Sequence, residues 1–211
     1  VDVSTLESCY VGGTVAENAG GARAVKYGIT NRWVYGLEVV TPTGDIVHLG
    51  GKRIKDVTGY NLVQLMVGSE GTLGVITKIT FRLTIKPKYV LDLLAPFDTL
   101  ANAVAQVNKL LREEHGLTAI EFMDNLSIRA AEQYCNMTLP YDECEAHLLI
   151  QVDGMEESEV WRTAERVYQT VMGSGAREVF VADNRITREK LWRARRDIAE
   201  ALKALNNYVS V

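Results

Sequence analysis

A chain of 211 residues with 47% hydrophobic and 24% charged residues has the mix of an ordinary globular protein, long enough for one large domain or two small ones. That excludes intrinsic disorder, collagen-like repeats and a disulfide scaffold. Lys and Arg number 23 against 27 Asp and Glu, a formal charge of -4, so the whole-chain field does not attract nucleic acid or an anionic membrane, and any anion site must be local.

Cys9, Cys135 and Cys144 form no CxxC pair, and an odd number leaves at least one thiol unpaired, which points to a reducing compartment. No apolar run approaches the roughly 20 residues of a membrane span, and no signal-peptide pattern opens the chain. The expected location is cytoplasmic, with any membrane association peripheral and through a partner. The chain starts on a polar stretch without Met, as a processed protein or a piece of something longer would.

Glycine usage divides the chain: 13 of its 17 glycines lie between Gly12 and Gly74, which places the expected domain boundary near Lys86-Pro87-Lys88, giving domains 1–86 and 87–211. In the first, Trp33 to Val40 and Leu73 to Leu83 read as strands, and Pro42-Thr43-Gly44-Asp45 as a hairpin loop. In the second, alternation from Tyr89 to Leu94 predicts a strand. Leu100, Val104, Val107 and Leu111 then share one helix face, capped by Asp98 or Thr99 and ended at Gly116. Strands are expected at Thr118 to Met123, His147 to Val152 and Glu178 to Ala182. A short helix is expected near Asn125 to Tyr134, and a longer one carries Val160, Ala164, Val167 and Val171. The order predicts an α+β, ferredoxin-like sheet with helices on one face. One amphipathic helix from about Thr187, with Leu191, Trp192, Ile198, Leu202 and Leu205, is expected to close the chain.

Two segments carry chemistry. Val11 to Gly21 holds two glycine pairs, which let a backbone approach an anionic group closely with several N–H groups; two tight turns in a β-rich domain would use the same residues. Val67 to Thr77 is a glycine loop running into a strand, unlike the strand-loop-helix arrangements of the Walker and Rossmann motifs. Glu70 within it can only accept hydrogen bonds, which suits a ribose hydroxyl or a buried N–H, or a solvent-facing turn.

Together with Tyr27-Gly28, Gly36-Leu37-Glu38-Val39-Val40 and Thr58-Gly59-Tyr60-Asn61-Leu62, these segments resemble the FAD-linked oxidases of the vanillyl-alcohol oxidase (PCMH-type) superfamily, in particular glycolate oxidase flavin subunits, D-lactate dehydrogenases and D-2-hydroxyglutarate dehydrogenases. The resemblance implies that 1–86 is the C-terminal part of a PCMH-type FAD-binding domain and 87–211 the N-terminal part of a substrate (cap) domain. It implies FAD as cofactor, with Ser8, Cys9, Gly12, Gly13, Thr14, Glu17 and Asn18 along the pyrophosphate and isoalloxazine, and Glu70, Gly71, Val75 and Ile76 at the adenosine and flavin edges. Cys9 there is expected to be a small buried thiol.

Leu191-Trp192-Arg193-Ala194-Arg195-Arg196 is similar to the family's Leu-Trp-x-x-Arg motif, which implies that Arg195 grips the substrate carboxylate, a task suited to a charged, bidentate guanidinium. The alternative is a solvated helix face with partners such as Glu200.

The implied activity is oxidation of a small 2-hydroxy acid of the glycolate or D-lactate type by hydride transfer to flavin N5, with an electron-acceptor protein or a quinone as further partner. The catalytic base is expected in a His-rich segment outside this chain, so the piece alone is expected to be inactive. Departures from the family pattern are Asn61, where Asp is usual, and Val63, where Lys is often found; Ala199 stands where D-2-hydroxyglutarate enzymes place a Thr, which weakens that substrate assignment. His48, His115 and His147 lack the spacing of a metal site. Tyr60 and Lys52 could face the flavin or serve packing and solvation, and Glu121 and Asp153 could pair for acid-base work. A different reading makes the chain a non-catalytic fragment or subunit that completes a flavin site only with a partner polypeptide.

Overall fold

The structure, a computed structural model, describes residues 8–113, 116–140 and 143–206, and the chain divides into two compact units, Val1–Lys86 and Pro87–Val211. The first unit begins with two short helices, α1 (Val11–Ala16) and α2 (Ala24–Tyr27), and a 3-10 turn, Thr30–Trp33. Strand β1 (Val34–Val40) then turns into β2 (Ile46–Gly50) through the expected hairpin, where Gly44 has φ +88 and the Thr43 hydroxyl donates to Asp45 at 2.7 Å. Helix α3 (Leu62–Met66) precedes β3 (Val75–Phe81). Asn61, where the family usually has Asp, caps α3 equally well, since its Oδ1 accepts from the Gln64 N–H at 3.1 Å.

These strands form an antiparallel sheet in the order β2-β1-β3. Its central strand supplies Val34, Leu37 and Val39 to a core completed by Val15 of α1 and by Val63, Met66 and Val67. Gly74 enters β3 so close to β1 that an added Cβ would sit 2.7 Å from Val39 Cγ1 and 2.8 Å from the Val40 carbonyl oxygen. No other residue fits there without moving the strand.

The second unit runs β4 (Tyr89–Phe97), α4 (Leu100–Arg112), β5 (Ala119–Asp124), α5 (Asn125–Cys135), β6 (Ala146–Gly154), α6 (Glu157–Met172), β7 (Phe180–Ala182), α7 (Arg185–Arg196) and α8 (Ile198–Asn206). Polar residues begin three of these helices. Thr99 accepts from Asn102 N–H, Asp124 from Ser127 N–H and Asn184 from Thr187 N–H, so Thr99 rather than Asp98 caps α4. The helix stops at Arg112, before the expected end at Gly116; residues 114–115 lie outside the described residues.

The sheet order is β5-β6-β4-β7 with every neighbour antiparallel, the ferredoxin-like arrangement expected, with α5 added between its second and third strands. Leu91, Leu93, Ala95 and Phe97 of β4 and Ala146, Leu148, Ile150 and Val152 of β6 pack against Ala103 and Leu110 of α4 and Val160, Ala164, Val167 and Val171 of α6.

The expectation of helices on one face is corrected. Asp92 and Leu94 of β4 and His147, Leu149 and Gln151 of β6 point to the opposite face, and they are buried too. Helix α7 packs on β7 and α5 on β5, and these two helices and α8 pack on one another as a second layer. A second correction concerns the closing helix, which is two helices separated at Asp197, whose N–H still bonds to the Arg193 carbonyl oxygen.

Candidate functional site

The two glycine segments meet in the first unit. Gly68 N–H donates to the Val15 carbonyl oxygen at 3.1 Å and Glu70 N–H to that of Ala16 at 2.9 Å. Asn18 turns the chain out of α1 with φ 52, and its Oδ1 accepts from the Asn31 N–H at 2.9 Å. Gly68, with φ +83, passes so close that an added Cβ would lie 3.1 Å from Asn18 Cβ. Glu70 and Gly71 continue in the left-handed region with φ 53 and +75. The result is one continuous backbone ledge made from α1, Asn18 and the turn at Ser69–Gly71.

This ledge is open where the resemblance places the cofactor. A Cβ built on Gly12, Gly13 or Gly71 meets nothing within 4 Å, and Tyr10 is 86% exposed beside them. Ser8, Cys9, Glu17 and Glu70 are exposed, and Thr14 is half-buried with its hydroxyl bonded to the Tyr10 carbonyl oxygen at 3.1 Å. Val75 is 63% exposed at the start of edge strand β3, while Ile76 packs against the core. A groove of bare main chain with an exposed strand edge fits a flat, phosphate-bearing cofactor such as FAD, because close approach needs glycine and anions need N–H donors.

Two expectations change here. Gly12 and Gly13 lie inside a helix at ordinary φ, not in tight turns, and Cys9 is exposed rather than buried. Sequence reasoning missed the helix because glycine disfavours one, and it had no signal for the positive φ at Glu70.

A separate cleft of about 960 Å³ in the same unit is lined by residues including Arg32, His48, Arg53, Tyr60, Asn61 and Gln64. Tyr60 is 94% exposed, which removes the packing role considered for it. Lys52 is exposed as well. None of the residues matched to the cofactor line this cleft.

In the second unit the arginines of α7 have different partners. Arg195 Nε and one Nη lie 2.7 and 2.6 Å from the same oxygen of Glu121, on β5. Arg193 instead reaches Asp197, and Glu200 pairs with Lys203 rather than with the arginine run. Glu121 and Asp153 do not pair. Glu121 stands opposite Leu149, four residues along β6 from Asp153, a separation of about 13 Å at the strand rise.

His147 is buried with Nε2 2.8 Å from the Pro140 carbonyl oxygen, His48 lies 3.8 Å from Glu38, and His115 lies outside the described residues. Burial pushes the Cys135 and Cys144 thiols up, with Asp197 and Asp98 beside them as acceptors. Among the described residues no group of three His, Cys, Asp or Glu could hold a metal ion, and no helix is long and apolar enough to cross a membrane.

An open glycine ledge in the first unit and a ferredoxin-like second unit are the two parts that the resemblance to FAD-linked oxidases implies. Residues 86–210 match the family of FAD linked oxidases, C-terminal domain, and residues 1–50 match the FAD binding domain family. The chain belongs to the FAD-linked oxidases, and the cofactor of the family is FAD.

It is 38% identical over 199 residues to D-lactate dehydrogenase of Anaerostipes hadrus, covering 92% of this chain and 42% of that protein. It is 39% identical over 201 residues to glycolate oxidase subunit GlcD of Escherichia coli K12, covering 95% and 40%. D-2-hydroxyglutarate dehydrogenase of Xanthomonas citri is 33% identical over 216 residues, with 99% and 44% covered. The chain thus spans about two fifths of the length of these relatives. Alkyldihydroxyacetonephosphate synthase shares the fold, with a TM-score of 0.71 at 22% identity over 97% of this chain and 39% of that one.

Proposed function

We propose that this chain is part of an FAD-dependent oxidoreductase acting on a small 2-hydroxy acid of the glycolate or D-lactate type. Residues 1–86 form the C-terminal part of its FAD-binding domain and 87–211 the N-terminal part of its substrate domain. Ser8, Cys9, Gly12, Gly13, Thr14, Glu17 and Asn18 lie along the cofactor, with Glu70, Gly71, Val75 and Ile76 at its other edge. When bound, FAD supplies the two-electron chemistry. The polypeptide orients it through main-chain donors, and Arg195 holds the substrate carboxylate so that C2 and its hydroxyl keep one orientation. The base that takes the hydroxyl proton lies outside this chain, and an electron-acceptor protein or a quinone removes the electrons.

The observation that carries this reading is the open ledge at Gly12, Gly13 and Gly71, where among the described residues a built Cβ meets nothing within 4 Å. The test is to assay the full-length protein, purified with its flavin, with glycolate, D-lactate and D-2-hydroxyglutarate. Bleaching of the flavin spectrum by one of the first two is expected, and bleaching by none would sink the reading. The 211-residue chain alone is expected to show no turnover. A second reading, a non-catalytic piece that completes a flavin site only with a partner polypeptide, is favoured by the exposed Ile54, Val57, Tyr60 and Leu65 of the first unit. Flavin colour retained by the isolated chain would count against it.

A further inference from the structure

We propose that Glu121 is the positioning residue for Arg195, an inference that rests on the carboxylate-binding role given to Arg195 above. The guanidinium has two edges on which a carboxylate can be held, one made by Nε with an Nη and one made by the two Nη atoms. Glu121 occupies the first, with a single oxygen 2.7 Å from Nε and 2.6 Å from Nη2. The second edge carries no hydrogen bond among the described residues, and the Arg195 side chain is 36% exposed. The pair therefore presents a guanidinium fixed in plane and direction, with one bidentate edge ready for a planar carboxylate.

The same contact could merely staple α7 to the sheet, but α7 is anchored without it. Leu191, Trp192 and Ala194 are buried, and Arg188 Nη1 donates to the Val90 carbonyl oxygen of β4 at 3.0 Å. Glu121 itself is held rigidly, because its strand pairs with central strand β6, where Leu149 stands opposite and fully buried. A fixed acid facing a long, otherwise mobile arginine is what aims the side chain, since an unheld arginine loses much rotamer freedom on binding.

The test uses the full-length flavin-loaded protein and oxamate, a monoanionic carboxylate with no C2–H to oxidise. Its dissociation constant is measured by calorimetry, alongside KM and kcat for the 2-hydroxy acid and the melting temperature. In Glu121→Leu the oxamate dissociation constant and KM rise about tenfold, as expected when a charge-assisted contact is mis-aimed, with a smaller change in kcat. Glu121→Gln keeps the shape and one acceptor oxygen and recovers part of the affinity; if the leucine variant fails to fold, the glutamine variant decides.

A lowered melting temperature with oxamate affinity and KM within twofold of the parent would make the pair a staple and overturn the proposal. Tighter oxamate binding would make Glu121 a competitor and overturn it equally. Arg195→Gln separates the two levels: if it weakens oxamate binding while the Glu121 variants do not, only the positioning role falls. If it leaves oxamate binding unchanged, the role of Arg195 falls and the proposal with it.

Discussion

Gly68 and Asn18 pack so closely that a Cβ on the glycine would stand 3.1 Å from that of the asparagine, and both lie in the left-handed region. Their contact joins the two glycine segments into one ledge. Gly68→Ala therefore forces φ +83 on an L side chain and crowds Asn18, at a cost of about 1–2 kcal/mol. The expected outcome is a lower melting temperature together with weaker flavin retention after gel filtration. Gly44→Ala, at φ +88 in the β1–β2 hairpin with open space around it, should carry the backbone penalty without the flavin loss.

The face of β4 toward α4 and α6 is the better packed test of the second unit's core. Leu93 is fully buried there, and Leu93→Ala should cost about 2–5 kcal/mol in urea unfolding because it removes contacts and leaves a cavity. Val181 on β7 is 42% exposed, and Val181→Ala should change stability by less than about 1 kcal/mol.

Glu38, on β1, is held below its ordinary value of 4.5, first by its hydrogen bond from Lys78 at 2.8 Å and then by that from Thr77. A carboxyl with a depressed folded value stabilises the fold above 4.5, and the contribution disappears as pH falls below 4.5 through the depressed value. Lys78→Met should flatten that part of the pH–stability curve. An unchanged curve between the two proteins would show that the pair does not contribute.

Thiol reactivity should follow burial. Cys9 is exposed, Cys135 half-buried and Cys144 buried, and burial raises the latter two thiols. Iodoacetamide at neutral pH should modify Cys9 first, read by peptide mass spectrometry, and Cys144 only in denaturant. Bound flavin should slow the Cys9 reaction if that residue lies along the cofactor.

Much of this molecule was legible from local pattern. The helix after Leu100, the strand from Tyr89 and the polar cap at Thr99 are short-range signals, because side-chain period and capping depend on residues within a turn of one another. The buried face of that helix was not legible: Leu100, Val104 and Leu111 are 45%, 47% and 46% exposed, and Ala103, Gln106 and Leu110 are buried instead. The glycine segments and Arg195 were equally legible as positions of interest.

Other features depended on residues distant in sequence. Helix α1 forms despite Gly12 and Gly13 because Val15 is buried in the core of the first unit and its carbonyl is held by Gly68 N–H. The second helical layer over Leu94 and Leu149 follows from burial on both sheet faces, and continuous apolar strands do not say what covers each face. Arg195 finds Glu121 74 residues away, rather than Glu200 on the next helix, because α7 is packed against the sheet with that arginine above β5. Element periods, the Thr99 cap and the residue types of the candidate site are local properties of the chain; which of those residues meet is set by packing across the sheet rather than along the chain.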